Sequence, residues 1–328
     1  MNFQLKILLL SYAVSTVIAC ILIPIFKRRN IRQTERELGI QETVVGRKST
    51  VPTMGGLIII ASTIILSIFL FFNYNADEPE IATRLLPMIF VTIGFGAIGL
   101  IDDFKKVILR NEDGLSPKAK MVGLVIIAAV YICLLLFAFN NGTATFIPFV
   151  DIYWTMPIWL YIPFALFIIV GTTNAVNLTD GVDGLATTVT TIIMAALTVI
   201  SIIMGIKEVT IFGCIIMGVE LGYLIFNIHP AHIFMGDTGS LLLGGAIAGI
   251  SLYMRMPLLL LFMAFIPICE TVSVILQVLY YKKTKKRLFK MAPIHHHFQL
   301  TGWRENKIVI IFNLITFIGS VISVLAIY

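Results

Sequence analysis

Three short clusters of carboxylates and amides carry the side chains best suited to chemistry in this 328-residue sequence. The first is Asp102-Asp103, the second runs from Asn174 to Asp183, and the third contains Asp237. Carboxylate oxygens are the ligands that hard cations such as Mg2+ prefer, and nearby basic groups can hold phosphate oxygens. The residue types therefore favour Mg2+-assisted phosphoryl transfer over proteolysis.

The first cluster ends an apolar run and is followed by Lys105 and Lys106. Adjacent side chains on a helix point about 100° apart, so Asp102 and Asp103 are expected to serve different partners. Acids at a helix C-terminus oppose the helix dipole, which favours a compensating cation. The alternative is a solvated helix end.

The second cluster spaces Asn174, Asn177, Asp180 and Asp183 three residues apart between apolar residues. This spacing predicts a polar stripe on one helical face, and such a stripe at membrane depth usually faces a cavity. In the third cluster, Asp237 opens an apolar run, where a helix N-terminus favours an anion such as phosphate. Asp237 would then hold a divalent cation; the alternative is an ordinary helix N-cap.

The consecutive histidines His295, His296 and His297 form a fourth cluster. Metal ligands on a helix want a spacing of four, so these side chains fit donors for diphosphate oxygens better. The basic run at 282–290 before them is interpreted as a membrane anchor; binding of anionic headgroups is the alternative. Glu220 and Glu270 fall within apolar runs and are candidates for intramembrane functional acids.

The amino-acid composition indicates that this chain folds in a lipid membrane. Hydrophobic residues make up 58% and charged residues only 13%, against about 25% charged in soluble proteins. This excludes disorder, a cytosolic enzyme and a secreted disulfide scaffold. The four cysteines lie in apolar runs without a CxxC pair, so neither a disulfide framework nor a zinc site is indicated.

Ten apolar runs are long enough to cross a membrane, which predicts an all-α polytopic protein forming a single domain over 1–328. They span 4–26, 54–72, 85–101, 119–139, 157–173, 184–205, 208–227, 238–254, 256–280 and 307–327. The segments 27–53, 102–120 and 281–307 hold seven, five and eight of the 24 Lys and Arg. The positive-inside rule places these segments in the cytoplasm, with both termini outside and the active site on the cytoplasmic face.

With its motifs in order, the sequence resembles the polyprenyl-phosphate N-acetylhexosamine-1-phosphate transferase family, on its muramoyl-pentapeptide branch. The motifs that carry the resemblance lie at 52–56 (PTMGG), 102–106 (DDFKK), 115–118 (LSPK), 174–184 (NAVNLTDGVDG), 234–240 (FMGDTGS) and 291–298 (MAPIHHHF). The resemblance implies transfer of phospho-MurNAc-pentapeptide from UDP-MurNAc-pentapeptide to undecaprenyl phosphate, giving lipid I and UMP in peptidoglycan synthesis. It also implies Mg2+ as cofactor, a bacterial inner-membrane location with membrane lipid around it, a homodimer, and no nucleic-acid partner.

The resemblance also implies roles for individual residues. Asp237 matches the principal Mg2+ ligand, and Asp102 the group that deprotonates or orients the lipid phosphate, with Asp103 supporting the metal or Lys118. The catalytic set is Asp102, Asp103, Asp237, Lys118 and His296. Substrate contacts are implied for Lys48, Thr53, Lys106, Asn174, Asn177, Asp180, Asp183, Asn227, Phe234, Gln277, His295 and His297. Phe234 is expected to stack on uracil.

Three other functions fit the sequence less well. A sibling transferase using UDP-N-acetylglucosamine is disfavoured by the MAPIHHHF stretch. A secondary transporter would place polar, broken helices at the bilayer midplane, often in inverted repeats, whereas the polar motifs here gather at one face. An intramembrane metalloprotease would need His-Glu-x-x-His, which the sequence lacks.

Overall fold

The computed structural model is a bundle of long helices with one short hairpin, and it describes residues 3–32, 51–109 and 114–328. The long helices are α1 (Phe3–Arg28), α2 (Gly56–Asp77), α3 (Pro79–Val107), α4 (Pro117–Cys133), α5 (Ile158–Thr179), α6 (Leu185–Ile203), α7 (Lys207–Asn227), α8 (Gly236–Tyr253), α10 (Phe265–Thr284) and α12 (Glu305–Leu325). The short ones are α9 (Leu260–Met263) and α11 (Ile294–Leu300). Within the described residues, nine of the long helices are apolar enough to cross a membrane, which makes this a polytopic membrane protein.

The remaining long helix, α8, is the centre of the bundle. Its residues from Thr238 to Leu252 are all buried, against α3, α5, α2 and α6. Small residues make this possible: Gly239 lies against Gly56, and Gly245 lies against Phe95. Because protein rather than lipid covers it, α8 does not need the hydropathy of an exposed span, and composition alone leaves it out of the nine.

A second close helix pair joins α1 to α7. Gly218 and Gly222 of α7 lie against the backbone of α1 at Leu8 and Tyr12. The Ser15 hydroxyl of α1 donates to the Val219 carbonyl at 2.9 Å. Small residues let the two backbones approach closely, which is the usual solution for helices packed in lipid.

The predicted runs correspond to helices, with one change. The ninth run, 256–280, is interrupted: α9 ends at Met263, and α10 begins at Phe265. Between α4 and α5, residues 144–155 form an antiparallel pair of strands, β1 (Ala144–Ile147) and β2 (Ile152–Thr155). The β1 strand is joined to the segment that follows α8, because the Phe146 N–H donates to the Arg255 carbonyl at 2.8 Å.

Candidate active site

Asp237, at the start of α8, is the centre of a cluster of charged groups at one end of the bundle. Its Oδ2 atom lies 2.8 Å from the Nζ atoms of both Lys106 and Lys120. Its Oδ1 accepts a hydrogen bond from the Asn177 amide at 2.8 Å, and the same amide donates to the Ser240 hydroxyl. Three helices, α3, α4 and α5, thus supply groups to one carboxylate.

Asp102 lies at the same centre and is almost fully buried. Its Oδ2 is 2.8 Å from the Lys106 ammonium and 3.5 Å from that of Lys120. Its Oδ1 accepts the Leu115 backbone N–H at 2.6 Å. Gly114, with a φ of +63°, lets the incoming chain close over this carboxylate, since a Cβ there would overlap Asp102.

Asp103 faces a different partner, as the helical geometry predicted. Both of its oxygens accept from the N-terminus of α8: Oδ1 from the Asp237 N–H at 3.1 Å, and Oδ2 from the Thr238 N–H and hydroxyl at 2.8 and 2.6 Å. This carboxylate occupies the position that an N-cap would take, and its charge complements the helix dipole. Asp103 therefore fixes α8 to α3, and it reaches no lysine at the centre.

Asp180 follows the end of α5 and completes the acidic group. The pKa of this carboxyl is raised to about 7, first by burial and then by the charges of Asp237 and Asp103. The Gly236 backbone N–H acts in the opposite direction. The net result is a group that exchanges its proton near neutral pH.

Asp183, three residues further, is held outside this centre. Its Oδ2 lies 2.9 Å from His229 Nδ1 and accepts the Ala231 N–H at 3.1 Å. His229 is a residue that the sequence analysis did not select. Asn174, one turn before Asn177, donates to the carbonyl of Val170 on its own helix.

The structure differs from the prediction for Lys118. This residue is exposed at the first turn of α4, and no described contact joins it to the acidic centre; Lys120 takes that place instead. Ser116 caps α4, and two residues along a helix turn a side chain by about 200°. Only one of the two lysines can therefore face the cluster.

Two predicted substrate contacts use their side chains to hold backbone. The Asn227 amide, buried, accepts from the Thr187 hydroxyl at 2.6 Å and donates to the Ile233 carbonyl at 3.0 Å. The Gln277 carbonyl oxygen accepts the N–H groups of Leu288 and Phe289 at 3.0 and 2.9 Å. Their described contacts position the loops at 228–235 and 285–293.

The three consecutive histidines differ in their burial and in their contacts. His295 is buried, with Nδ1 3.1 Å from the Glu270 carboxylate, and its ring lies directly over Gly181, where a Cβ would overlap it. His296 is partly exposed, and its Nδ1 lies 2.8 Å from the Gln299 carbonyl oxygen. His297 accepts the Lys290 N–H at 3.1 Å.

Thr53 and Phe234 lie beside the centre in one paired segment. The Phe234 N–H donates to Pro52 at 2.9 Å, and the Phe234 carbonyl accepts from Gly55 at 2.8 Å. Phe234 is partly exposed and Thr53 is buried. Lys48 lies outside the described residues.

Comparison with known proteins gives the class and the family of this chain. Residues 85–255, which carry most of the cluster, match the family model Glycosyl transferase family 4, and this defines the class. Three similar relatives are phospho-N-acetylmuramoyl-pentapeptide-transferases: from Acetivibrio thermocellus, 42% identical over 98% of this chain and 94% of the relative; from Clostridium novyi, 40% over 99% and 97%; and from Bacillus subtilis, 39% over 98% and 96%. The chain belongs to the phospho-N-acetylmuramoyl-pentapeptide-transferase family.

Proposed function

We propose that the protein transfers phospho-MurNAc-pentapeptide from UDP-MurNAc-pentapeptide to undecaprenyl phosphate, releasing UMP and forming lipid I. The family carries the assignment of the reaction. The observation that supports its location is the convergence of Asp102, Asp237, Lys106 and Lys120 at one end of an apolar bundle. This places charged groups where a lipid phosphate and a water-soluble nucleotide can meet.

Mg2+ is the cofactor that the donor set fits. Asp237 offers carboxylate oxygens that, in the structure, contact two ammonium groups and accept a hydrogen bond from an amide, and Asp102 offers a second carboxylate beside it. Oxygen donors of this type suit a hard cation, so Asp237, with Asp102 beside it, would hold it. When bound, the ion would neutralise charge on the diphosphate.

The side chains of the protein bind and orient the two phosphate groups for the transfer. A lipid phosphate oxygen attacks the β-phosphorus of the nucleotide sugar, the bond to the α-phosphate oxygen breaks, and UMP leaves. Lys106 and Lys120 hold phosphate oxygens, and Asp102 orients the attacking phosphate. Asp102 is tied by two ammonium groups and the Leu115 N–H, which favours this direct step over a covalent aspartyl-phosphate.

The position of the acidic centre at one end of the bundle also supports a proposal for the location of the protein. We propose a multi-pass protein of the bacterial inner membrane with the acidic centre on the cytoplasmic side, where the nucleotide substrate is available. The basic segments flanking this end of the bundle support the orientation. The homodimer stays a prediction from the family resemblance.

The test is UMP release by the purified protein in detergent with both substrates and Mg2+. Asp237→Asn and chelation are each expected to reduce release by about a hundredfold or more, the scale for loss of a charge-stabilising group. UDP-N-acetylglucosamine runs in parallel as the alternative donor. Release with that donor alone would assign the sibling reaction, and release unaffected by chelation would refute the Mg2+ assignment.

A further inference from the structure

A cavity of about 520 Å3 lies among four helix ends, away from the acidic centre. Its walls come from the start of α1, the end of α2, the end of α6 and the start of α7. Helix α2 begins at Gly56, which lies against Gly239 beside the acidic centre, and its 22 residues span about 33 Å. The cavity is therefore at the opposite end of the bundle, and it is lined by none of the residues assigned to the transferase.

Two opposite charges line this cavity. The Lys207 ammonium is 3.3 Å from the Glu78 carboxylate, and the two side chains are 69% and 49% exposed. An ion pair this exposed contributes little to stability, so each partner can exchange the other for a charge on a ligand at little cost. Together the two residues suit a ligand that carries one positive and one negative group.

A buried acceptor on the wall of the same cavity favours one kind of cation. Gln4 lines the cavity, and its side-chain oxygen, Oε1, is buried and has no hydrogen-bond partner among the described residues. A buried acceptor without a partner is costly, and an N–H donor from a ligand would satisfy it. A primary ammonium carries three such donors, whereas a quaternary ammonium carries none.

Apolar side chains continue from the cavity onto the surface of the bundle. Phe3 and Ile202 line the cavity and are also 42% and 54% exposed. Both belong to helices that are long and apolar enough to cross a membrane, so their exposed faces meet lipid. A ligand whose polar head occupies the cavity would therefore place its acyl chains against these faces.

We propose that this cavity binds the headgroup of a phospholipid that bears a primary amine, of the phosphatidylethanolamine type. Lys207 would hold the phosphate, and Glu78 and the Gln4 oxygen would receive the ammonium. The volume of the cavity falls in the range of about 300–1,000 Å3 that is usual for small-molecule sites. The bound lipid would join the ends of α1, α2, α6 and α7 in the leaflet opposite the acidic centre, without taking part in phosphoryl transfer.

The test measures lipid binding by native mass spectrometry of the purified full-length protein in detergent. The probes are dioctanoyl-phosphatidylethanolamine, dioctanoyl-phosphatidylcholine and dioctanoyl-phosphatidylglycerol. The ethanolamine lipid should bind about fivefold or more tighter than the choline lipid, because choline leaves the buried acceptor unsatisfied. It should also bind tighter than the glycerol lipid, which has no cation for Glu78, and it should raise the unfolding temperature.

Two variants separate the two halves of the headgroup. Lys207→Gln should weaken binding of the ethanolamine and choline lipids alike by about fivefold, the upper scale for a partly exposed ion pair. Gln4→Leu should instead remove the preference for ethanolamine over choline. Lys6→Gln is the matched control for Lys207→Gln, because Lys6 is exposed near the same end of α1 and does not line the cavity.

Equal binding of the ethanolamine and choline lipids by the parent protein would overturn the proposal, as would a preference that Gln4→Leu leaves intact. A loss in Lys6→Gln as large as that in Lys207→Gln, or tighter binding of the glycerol lipid, would also refute it. Free phosphoethanolamine that bound as tightly as the lipid would rule out a lipid source. Asn73→Trp, at an exposed residue that lines the cavity, should block binding if Gln4→Leu does not fold. Because the readout is binding, these outcomes do not depend on the transferase assignment.

Discussion

At the scale of single residues, two lysines two positions apart on α4 are predicted to differ in importance. Lys120 lies 2.8 Å from Asp237, whereas Lys118 is exposed. Lys120→Ala removes one of two ammonium groups that neutralise a nearly buried pair of carboxylates. We expect UMP release to fall by at least about tenfold, toward the hundredfold scale for a charge-stabilising group, while Lys118→Ala stays near the parent rate.

The two lysine variants control for each other, because they change the same residue type on the same helix turn. Both proteins should elute and unfold like the parent, which separates a charge effect from misfolding. A large loss in Lys118→Ala, or a parent-like rate in Lys120→Ala, would show that the cluster around Asp237 is not the reacting centre.

Asp180 gives a prediction about pH and stability. The folded protein keeps the proton on this carboxyl up to about pH 7, whereas the unfolded chain releases it near the ordinary value of 3.8. Its contribution to stability is therefore present at low pH and lost as pH rises toward 7. Asp180→Asn has no such loss, so its unfolding temperature should rise relative to the parent between pH 4 and 7, and then level off.

Thermal unfolding in detergent across this pH range measures the effect. Asp151→Asn, on the exposed hairpin, is the control and should show no such trend. A difference between Asp180→Asn and the parent that is constant with pH would contradict the raised pKa.

The residue types of the site could be predicted from sequence, but their partners only in part. The divergence of Asp102 and Asp103 followed from helix geometry, which is local. The choice of Lys120 over Lys118 depends on how α4 is rotated against α3, and that rotation is set by packing between distant segments. Gln277 could be placed on a helix but not assigned to its loop, because its partners at 288 and 289 depend on the path of that loop.

At the scale of elements, the approach of α3 to α8 is predicted to control the site. Gly99 of α3 lies against the backbone of Asp237 and Thr238, where a Cβ would overlap both. Gly99→Ala should push α8 away from Asp102 and Asp103, reduce UMP release strongly, and cost about 1–3 kcal/mol of stability, the range for overpacking. Activity and thermal unfolding are measured together.

Gly171→Ala is the matched control, since a Cβ on this helical glycine of α5 meets nothing within 4 Å. It should keep both activity and stability. If Gly99→Ala behaved like Gly171→Ala, the close contact between α3 and α8 would not be what positions Asp237.

The helices could be predicted from the sequence because the length of an apolar run is a local property. The positions where a run is interrupted could not be predicted in this way. The sequence around residue 264 stays apolar within the predicted run 256–280, yet Met263 and Phe265 belong to different helices. Near that break, Gly319 of α12 lies against the Phe262 backbone. The contact involves a residue more than fifty positions away, so no window of sequence around the break contains it.

At the scale of the whole molecule, residues near both chain termini make contacts at the end of the bundle opposite the acidic centre. Phe3 packs against Tyr74 with ring centroids 5.7 Å apart. Near the other terminus, the Ala326 carbonyl accepts the N–H of Phe149, in the hairpin turn. The hairpin also contacts Arg255, just beyond the end of α8, whereas Asp237 at its start lies in the acidic centre. An 18-residue helix spans about 27 Å, close to the bilayer core of about 30 Å.

These contacts predict that α8 crosses the membrane although its composition does not mark it as a span, and that both chain ends lie outside. In a cysteine-free background, Lys207→Cys and Tyr328→Cys should react with a membrane-impermeant maleimide in intact cells, whereas Lys283→Cys should react only after the cells are opened. Lys207 and Tyr328 are separated by α7, α8, α10 and α12, so their location on one side requires an even number of crossings. Labelling of Lys207→Cys and Tyr328→Cys from opposite sides would mean that α8 does not cross, and labelling of Lys283→Cys in intact cells would reverse the orientation drawn from the basic segments.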